Sequence, residues 1–469
     1  MSTPTPTGYT FLDGTVKDFA DVFALASPAG SGSQTTGYKS VAYGNLDLGE
    51  IFTAGSNTIV TKYYSTVLGS VDLGSIFAPP TMWSTLEPGW ISSGDYVNSI
   101  AIDSLNRVYV GGSFAYVDSI QVNGIAMWTP GTPGSWSALG SGVAVDTTGS
   151  SNVFTIAIDS LNRVYVGGLF PSAGGVSNTN LIALWIPGTP GSWYPVGVGF
   201  TGSLILSVDI ISILSSNSNV YVGGNFLQVY NGSTAVSGTK NLARWTPSVG
   251  TGGTWSSVGG GITSTGTGTS EGVSAIAFDN LNNVYVGGSF TEVKNSGTPF
   301  PVHKIAMWNG SVWSSVGNGV SITNPDSYWG YSSVFGIAID NLNNVYVGGD
   351  FVSTYDNISN TKGLAMWNGS AWSSVGNGLT NTGYVYVYTI VLDTSFNIYV
   401  GGNFTQIDGI NAGRIAKYEN LNWNTLEGGV SGGSQPFIGH LESNGLTVYV
   451  GGDFTTAGTI TANKIAVWN

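Results

Sequence analysis

A short segment that recurs seven times most constrains what this chain can fold into. The copies read NRVYVGGSF, NRVYVGGLF, NVYVGGNF, NNVYVGGSF, NNVYVGGDF, NIYVGGNF and TVYVGGDF. Their tyrosines, spaced 50 to 64 residues apart, are Tyr109, Tyr165, Tyr221, Tyr285, Tyr346, Tyr399 and Tyr449. Self-similarity with a period of this size indicates one repeat architecture rather than several unrelated domains.

Each repeat divides into four short apolar runs, as in VFTIAID, VYVGG, IAMW and WSSVG. The runs are rich in Val, Ile, Tyr and Trp and are bounded by Gly, Asn, Asp and Ser, which is typical of strands. The Asn-Gly pairs at Asn309-Gly310 and Asn368-Gly369 predict type I′ hairpin turns. We therefore predict an all-β chain in which each repeat is a four-stranded antiparallel blade of a β-propeller.

The two ends of the repeat region complement each other. The last unit stops at IAVWN, with Trp468 in its third run, and so lacks a fourth strand. The segment TMWSTLEPG precedes the first unit and places Trp83 where a fourth strand has its tryptophan. We predict that this N-terminal strand completes the last blade and closes a seven-bladed ring over residues 81–469, which leaves no open sheet edge.

These motifs resemble the kelch-like seven-bladed β-propellers. Proteins of that family share a strand that ends in paired glycines, a third strand with an aromatic residue and a fourth strand that opens with Trp. The chain departs from this pattern at Tyr418, which replaces the third-strand Trp, and at Leu214, where other units have Asp. The family includes oxidases, ligase adaptors, lectins and surface proteins, so the resemblance implies a fold and not a function.

Composition excludes several functional classes. Charged residues make up 8% of the chain, with 13 basic against 26 acidic residues. Because no cluster of Lys or Arg is present, we expect no nucleic-acid binding. The chain has no cysteine, which excludes disulfides and thiolate metal sites. We see no signal peptide and no apolar run long enough to span a membrane, so we expect no membrane insertion.

The repeated residues favour structural roles. Paired glycines such as Gly111-Gly112 predict close packing of neighbouring backbones. The repeated acids could ligate calcium, but we favour turn residues that bind their own backbone; they are Asp103, Asp159, Asp279, Asp340 and Asp393. With His303 and His440 as the only histidines, and no nucleophile elbow or phosphate-binding loop, we expect no enzyme activity, no metal and no cofactor.

One face of the predicted ring carries long, variable loops, which follow the second and fourth runs. Binding residues concentrate on loops of this kind, and exposed aromatics among Asn, Asp and Gly suit sugars or proteins. Anchoring of these aromatics over the blades is the alternative interpretation. The candidate ligand-binding residues are Tyr328, Trp329, Tyr331, Tyr116, Tyr230, Phe300 and Tyr355.

Residues 1–80 form a different module with a triple repeat. The segments GTVKDFADVFA, GNLDLGEIFTA and GSVDLGSIFAP align and weakly resemble N-terminal segments of phage tail and giant-virus structural proteins. Because such small units bury little surface alone, we expect them to pack on the ring or on another subunit. The candidate assembly residues are Phe23, Phe52, Phe77, Asp18, Asp47 and Asp72.

Two functional hypotheses follow. The first is a non-enzymatic structural or surface-assembly protein, with self-association or a coat protein as partner of residues 1–80, in a virion or at an extracellular surface. The second is a lectin-like propeller that binds a glycan or a protein through the aromatic loops of the variable face.

Overall fold

The chain divides into two compact units, Met1–Thr81 and Met82–Asn469. The computed structural model describes residues 82–86, 95–145, 151–198, 200, 207–263, 272–321, 333–381 and 383–469, together with six short strands before residue 82. All elements in these described ranges are strands. No helix in the described residues is long and apolar enough to cross a membrane.

Seven four-stranded antiparallel sheets make up the described part of the second unit, so the predicted all-β propeller fold is confirmed. Sheet 1 comprises Tyr96–Ile102, Val108–Ser113, Ile125–Thr129 and Ser135–Ala138. Sheet 2 comprises Asn152–Ile158, Val164–Leu169, Ile182–Ile186 and Ser192–Pro195. Sheet 3 comprises Ser207–Leu214, Asn219–Asn225, Leu242–Pro247 and Gly253–Ser257.

The remaining sheets repeat this order of inner, second, third and outer strand. Sheet 4 comprises Val273–Phe278, Val284–Gly288, Ile305–Trp308 and Trp313–Ser315. Sheet 5 comprises Val334–Ile339, Val345–Gly349, Leu364–Trp367 and Trp372–Ser373. Sheet 6 comprises Val387–Leu392, Ile398–Gly402, Ile415–Glu419 and Asn422–Thr425. Sheet 7 comprises Phe437–Ser443, Val448–Asp453, Ile465–Trp468 and Trp83–Ser84.

The outer strand of sheet 7 comes from the start of the unit. Trp83 pairs with Trp468, and the two indoles meet edge-on with their centroids 5.1 Å apart. Trp83 Nε1 also donates to the Leu426 carbonyl of sheet 6 at 2.9 Å. On the other side, the inner strand of sheet 7 lies beside the inner strand of sheet 1. The first and last repeats therefore meet.

The paired glycines pack sheets together in the same way in every repeat. A Cβ on the first glycine would lie 2.4 to 2.6 Å from a Val or Ile side chain of the next sheet, as Gly111 does to Val153. A Cβ on the second would lie 1.9 to 2.3 Å from a carbonyl oxygen that precedes or begins its own inner strand, as Gly112 does to Tyr96. Gly451 of sheet 7 meets Val97 of sheet 1 at 2.5 Å. Neighbouring atoms therefore lie too close to both positions for any residue with a Cβ, and only glycine fits.

The turns between third and outer strands differ from the prediction. A type I′ turn needs positive φ at both central residues, but only Gly310 and Gly369 have it, and Asn309 and Asn368 do not. Instead, Asn309 Oδ1 accepts hydrogen bonds from the backbone N–H groups of Ser311 and Val312. Asn368 does the same. The asparagine is therefore the first residue of a turn that its own side chain closes by accepting backbone hydrogen bonds, and the glycine is the second. The type I′ prediction was wrong.

Further strands lie outside the seven sheets. In the loops between second and third strands they are Tyr116–Val117 with Ile120–Gln121, Val229–Asn231 with Thr234–Val236, Glu292–Asn295 with Thr298–Pro301, Gln406–Ile407 with Ile410–Asn411, and Thr456–Ala457 with Ile460–Thr461. Ile262–Thr263 and Val430–Ser431 extend two of these hairpins. The first unit has the hairpins Gly8–Thr10 with Val16–Asp18, Gly37–Ser40 with Gly44–Asp47, and Lys62–Ser65 with Gly69–Asp72.

Candidate functional site

The inner strands of all seven sheets line a central channel, a cavity of about 440 Å³. Each inner strand contains a β-bulge after its first or second residue, as between Val97 and Ser99. A bulge leaves one residue unpaired and re-aims its side chain. In this chain the extra residue lines the channel in every sheet: Asn98, Phe154, Asp209, Ser274, Phe335, Tyr388 and Gly439.

The residue after the bulge links neighbouring sheets where it is polar. Ser99 Oγ accepts a hydrogen bond from Ile156 N of the next sheet at 2.9 Å, and Thr155 Oγ1 accepts one from Ile211 N at 3.0 Å. Thr389 does the same between sheets 6 and 7. His440 takes this role between sheets 7 and 1, where its Nδ1 accepts from Ile100 N at 3.3 Å. The imidazole of His440 therefore links sheet 7 to sheet 1.

Four titratable groups line the channel, and burial dominates the pKa of each. Burial raises the pKa of Asp209 to about 6, against a hydrogen bond from Ser207 that lowers it. It raises the pKa of Glu442 to about 8 and that of Tyr388 to about 12. It lowers the pKa of His440 to about 4. No lysine or arginine is among the described residues that line this cavity, so the channel holds two carboxylates without a protein cation.

Aromatic rings gather at the end of the channel where the inner strands begin. The Tyr388 ring lies 5.4 Å from Phe335, 5.7 Å from Tyr386 and 5.9 Å from Phe437. Phe437 in turn lies 6.1 Å from Tyr96 of sheet 1. These rings form a cluster across sheets 5, 6, 7 and 1 beside the bulge layer that also contains Asp209.

The opposite end of the ring exposes a second feature, which we call the turn-face rim. It consists of large apolar side chains in the turns between inner and second strands, with exposed fractions from 44% to 86%. The rim residues are Leu105, Leu161, Leu281, Leu342, Phe396 and Leu446. Sheet 3 has Ser, Asn and no Leu at the tip of this turn, but the exposed Val249 lies in its other turn at the same end.

Hydrogen bonds join three pairs of neighbouring turns of the rim. Ser104 N and Oγ donate to Asn162 Oδ1 at 3.1 and 3.0 Å, which joins sheets 1 and 2. Asn280 N donates to Asn343 Oδ1 at 3.0 Å between sheets 4 and 5. Thr394 Oγ1 donates to the Gly445 carbonyl at 2.9 Å between sheets 6 and 7. The apolar tips therefore stand on a bonded framework.

The repeated acids hold these turns, as predicted. Asp103 Oδ1 accepts from the backbone N–H groups of Leu105 and Arg107, both at 2.9 Å, and Oδ2 accepts from Arg107 Nε at 2.5 Å. The same two backbone bonds recur at Asp159, Asp279, Asp340 and Asp393. Within the described residues, no group of three or more His, Cys, Asp or Glu could hold a metal ion.

Those of the predicted ligand-binding aromatics that the structure describes lie in separate loops. Tyr116, Tyr230 and Phe300 belong to three different loop hairpins, and Phe300 packs against the core between sheets 3 and 4. Tyr355 is exposed and stacks on His303, with centroids 3.9 Å apart and rings 14° from parallel. Tyr328, Trp329 and Tyr331 lie outside the described residues.

The predicted assembly residues are described only in part. Asp18, Asp47 and Asp72 are the last residues of the second strands of the three hairpins before residue 82. Phe23, Phe52 and Phe77 lie outside the described residues.

Sequence reasoning missed both the channel carboxylates and the rim. The signal for the rim was the leucine in the otherwise polar turns DSLNR and DNLNN. The signal for the channel was the break in the inner-strand pattern at Asp209 and Glu442, where other repeats have uncharged residues.

Comparison with known proteins adds little beyond the fold. No protein family and no curated protein matches the chain. Among solved structures, the extracellular domain of a hybrid two-component system from B. thetaiotaomicron is 12% identical, with 87% of this chain and 46% of that chain covered and a TM-score of 0.36. This chain thus spans less than half the length of that domain.

Two smaller proteins are covered almost completely. Virginiamycin B lyase from Staphylococcus aureus is 9% identical, with 81% of this chain and 97% of that chain covered and a TM-score of 0.42. The WD40 β-propeller domain of Doa1 is 11% identical, with 82% and 96% covered and a TM-score of 0.41. At these identities and TM-scores the similarity carries no functional argument, and the propeller architecture rests on the strand pairing of the chain itself.

Proposed function

We propose that this chain is a non-enzymatic structural protein that associates with further copies of itself, with the propeller as its rigid unit. The turn-face rim is the observation that supports this proposal. Soluble monomers rarely expose large contiguous apolar patches, and patches of this kind mark interaction sites. Here the exposed leucines recur at equivalent turns and are held on a bonded framework.

The rim has the area that a specific contact needs. Six side chains with these exposed fractions present roughly 600 Å² of apolar surface, so two rims placed face to face bury about 1,200 Å², the lower bound for a stable interface. The outer turns at the same end add the exposed Val249, Val312 and Leu421. A second copy supplies the matching apolar ring, whereas an unrelated partner would need one of the same size.

Two of the five acids in the turns at this surface are paired with arginines. The chain carries a net charge of −13, which opposes self-association in general. At the rim, however, Arg107 pairs with Asp103 and Arg163 pairs with Asp159, both at 2.5 Å. These two pairs reduce the repulsion between two rims, whereas the other three turn acids bond the neutral side chains of asparagines.

The remaining parts of the proposal rest on the sequence. Residues 1–80 provide anchoring or further self-assembly, with Asp18, Asp47, Asp72 and the phenylalanines of the triple repeat as contact residues. A viral particle or an extracellular fibre is the setting that this composition suits. The absence of enzymatic function is supported by the use of the repeated acids in turns and of His440 Nδ1 between sheets.

Light scattering coupled to size exclusion tests the proposal. We expect the full chain to form oligomers. The measured oligomer mass should fall, without loss of folding stability, in the triple variant Leu105→Asn, Leu281→Asn, Leu342→Asn. Leu227→Asn, which removes an exposed leucine from the opposite face, is the matched control and leaves the oligomer intact. The mass of a chain that begins at Thr81 shows how much residues 1–80 contribute to oligomerisation. A monomeric full chain, or oligomers insensitive to both changes, contradicts the proposal.

A glycan-binding propeller is the second candidate, and one observation favours it. Tyr355 and His303 present a stacked pair of rings on the variable face, and parallel rings suit the apolar face of a sugar. Glycan-array binding that disappears in Tyr355→Ala and survives in Tyr116→Ala would support this candidate. Equal binding by both variants would contradict it.

A further inference from the structure

The central channel contains two carboxylates that the scaffold does not use. The polar residues at the sheet-to-sheet links all serve the fold, since Ser99, Thr155 and His440 accept hydrogen bonds from the next sheet. Asp209 is held by a single side-chain hydrogen bond from Ser207. Within the described part of the chain, no group hydrogen-bonds or ion-pairs with the Glu442 carboxylate. Two half-buried acids thus face a cavity whose described lining contains no lysine or arginine.

The two carboxylates stand apart along and across the channel. Asp209 is the bulge residue of the inner strand of sheet 3, and Glu442 is three residues further along the equivalent strand of sheet 7. Three residues of strand span about 10 Å. Sheets 1 and 2 separate them on one side and sheets 4, 5 and 6 on the other, so they occupy nearly opposite walls.

The walls between them suit a chain of methylene groups. The lining next to Glu442 is aliphatic and includes Ala101, Ala157 and Val391. In the layer that holds Asp209, Phe154 comes from the neighbouring sheet 2, and Phe335 and Tyr388 come from sheets 5 and 6 across the channel. Aromatic faces attract cations through their quadrupole, most strongly where water is excluded. One end of the cavity therefore combines a carboxylate with aromatic rings, the other a carboxylate with small apolar side chains.

We propose that the channel binds an aliphatic diamine or polyamine, with one ammonium group at Asp209, in the layer of the channel that also carries aromatic side chains, and another at Glu442. The intervening methylene groups pack on the Ala, Val and Ile side chains. A divalent metal ion fits less well, because Ca²⁺ takes six to eight oxygen ligands and these carboxylates lie on opposite walls. This inference is independent of the proposed self-association.

Calorimetry with spermidine on the full chain tests the site. We expect saturable binding that tightens as the pH rises from about 6 to about 8, because Glu442, with a pKa of about 8, loses its proton towards the upper end of this range. The other titratable groups that line the channel have pKa values of about 6 for Asp209, about 4 for His440 and about 12 for Tyr388, so they change little at that end. Octane-1,8-diol, which keeps the length without the charges, should not bind.

Variants separate the channel from general attraction to an acidic protein. Glu442→Gln and Asp209→Asn each remove a charge-assisted contact and should weaken spermidine binding about tenfold or more. Glu419→Gln is the matched control, because its carboxylate lies on the third strand of sheet 6 and pairs with Lys417 at 2.6 Å outside the cavity. Equal loss in Glu419→Gln and Glu442→Gln would assign binding to net charge and overturn the proposal.

The two histidines provide a test that needs no variant. His440 lines the channel, whereas His303 stacks on Tyr355 in a loop. Spermidine should shift the imidazole C–H resonances of His440 and leave those of His303 unchanged. Absence of saturable binding, or shifts confined to His303, would overturn the proposal.

Discussion

Alanine substitution of the paired glycines tests how the sheets pack. At Gly112 a Cβ would lie 2.1 Å from the Tyr96 carbonyl oxygen, whereas real Cβ contacts are essentially never under 3.0 Å. The inner strand would have to move by about 1 Å at its bulge, against its hydrogen bonds to the second strand. Overpacking costs about 1–3 kcal/mol where side chains can adjust, and here the obstacle is backbone. We expect Gly112→Ala to lower the free energy of unfolding by about 3 kcal/mol or more.

Two further variants calibrate this result. A Cβ at Gly111 would meet Val153 Cγ1 at 2.5 Å, and because that side chain can shift we expect a smaller loss of about 1–2 kcal/mol. Gly272 has ordinary φ and its nearest contact would be 3.5 Å away, so Gly272→Ala should change stability by less than about 0.5 kcal/mol. Urea denaturation followed by tryptophan fluorescence measures all three. A Gly112→Ala protein as stable as Gly272→Ala would refute the close-approach argument.

Three other substitutions test separate parts of the account. Phe396 has a φ of 61° at the turn position where Asn343 has a φ of 62°. Because Asn tolerates this left-handed region better than Phe, Phe396→Asn should stabilise the protein by about 0.5–1 kcal/mol in urea denaturation. A destabilised variant would show that the Phe396 ring has a packing role. Asp340→Ala removes two hydrogen bonds from backbone N–H groups of the turn and two from the side chains of Asn344 and Tyr346, and should cost about 1–3 kcal/mol. Asp356→Ala on an exposed loop is the control. Burial raises the pKa of Glu442 from 4.5 in the unfolded chain to about 8 in the folded one, so between these pH values the native state holds a proton that the unfolded state has released. The free energy of unfolding of the wild type should therefore fall as the pH rises from 4.5 to about 8. Glu442→Gln should remove this part of the pH dependence, and identical pH profiles of thermal unfolding would contradict it.

The fold could be predicted from the sequence because the same pattern of strands recurs in seven repeats. Spacing and strand composition were sufficient for the four strands of each sheet, and Trp83 showed which strand joins the last sheet. The turn around Asn309 could not be predicted, because the Asn side chain competes with the backbone for the same N–H groups and changes the turn type.

The candidate sites were harder to predict from the sequence. The bulge places Asp209 in the channel and shifts the alternation of the inner strand, so its period of two does not show which side chains face inward. Exposure of Leu105 and its equivalents depends on the turn that Asp103 holds, and an apolar residue in a sequence is more often buried. The variable loops attracted attention through their aromatics, yet the structure distributes Tyr116, Tyr230 and Phe300 over separate hairpins.

Hydrogen–deuterium exchange at low and high protein concentration tests self-association through the rim most directly. The account predicts that the turns around Leu105, Leu161, Leu281 and Leu342 gain protection as concentration rises, while the loops that contain Tyr116 and Tyr355 exchange unchanged. Protection confined to those loops, or exchange at the rim that is independent of concentration, would contradict the proposed function.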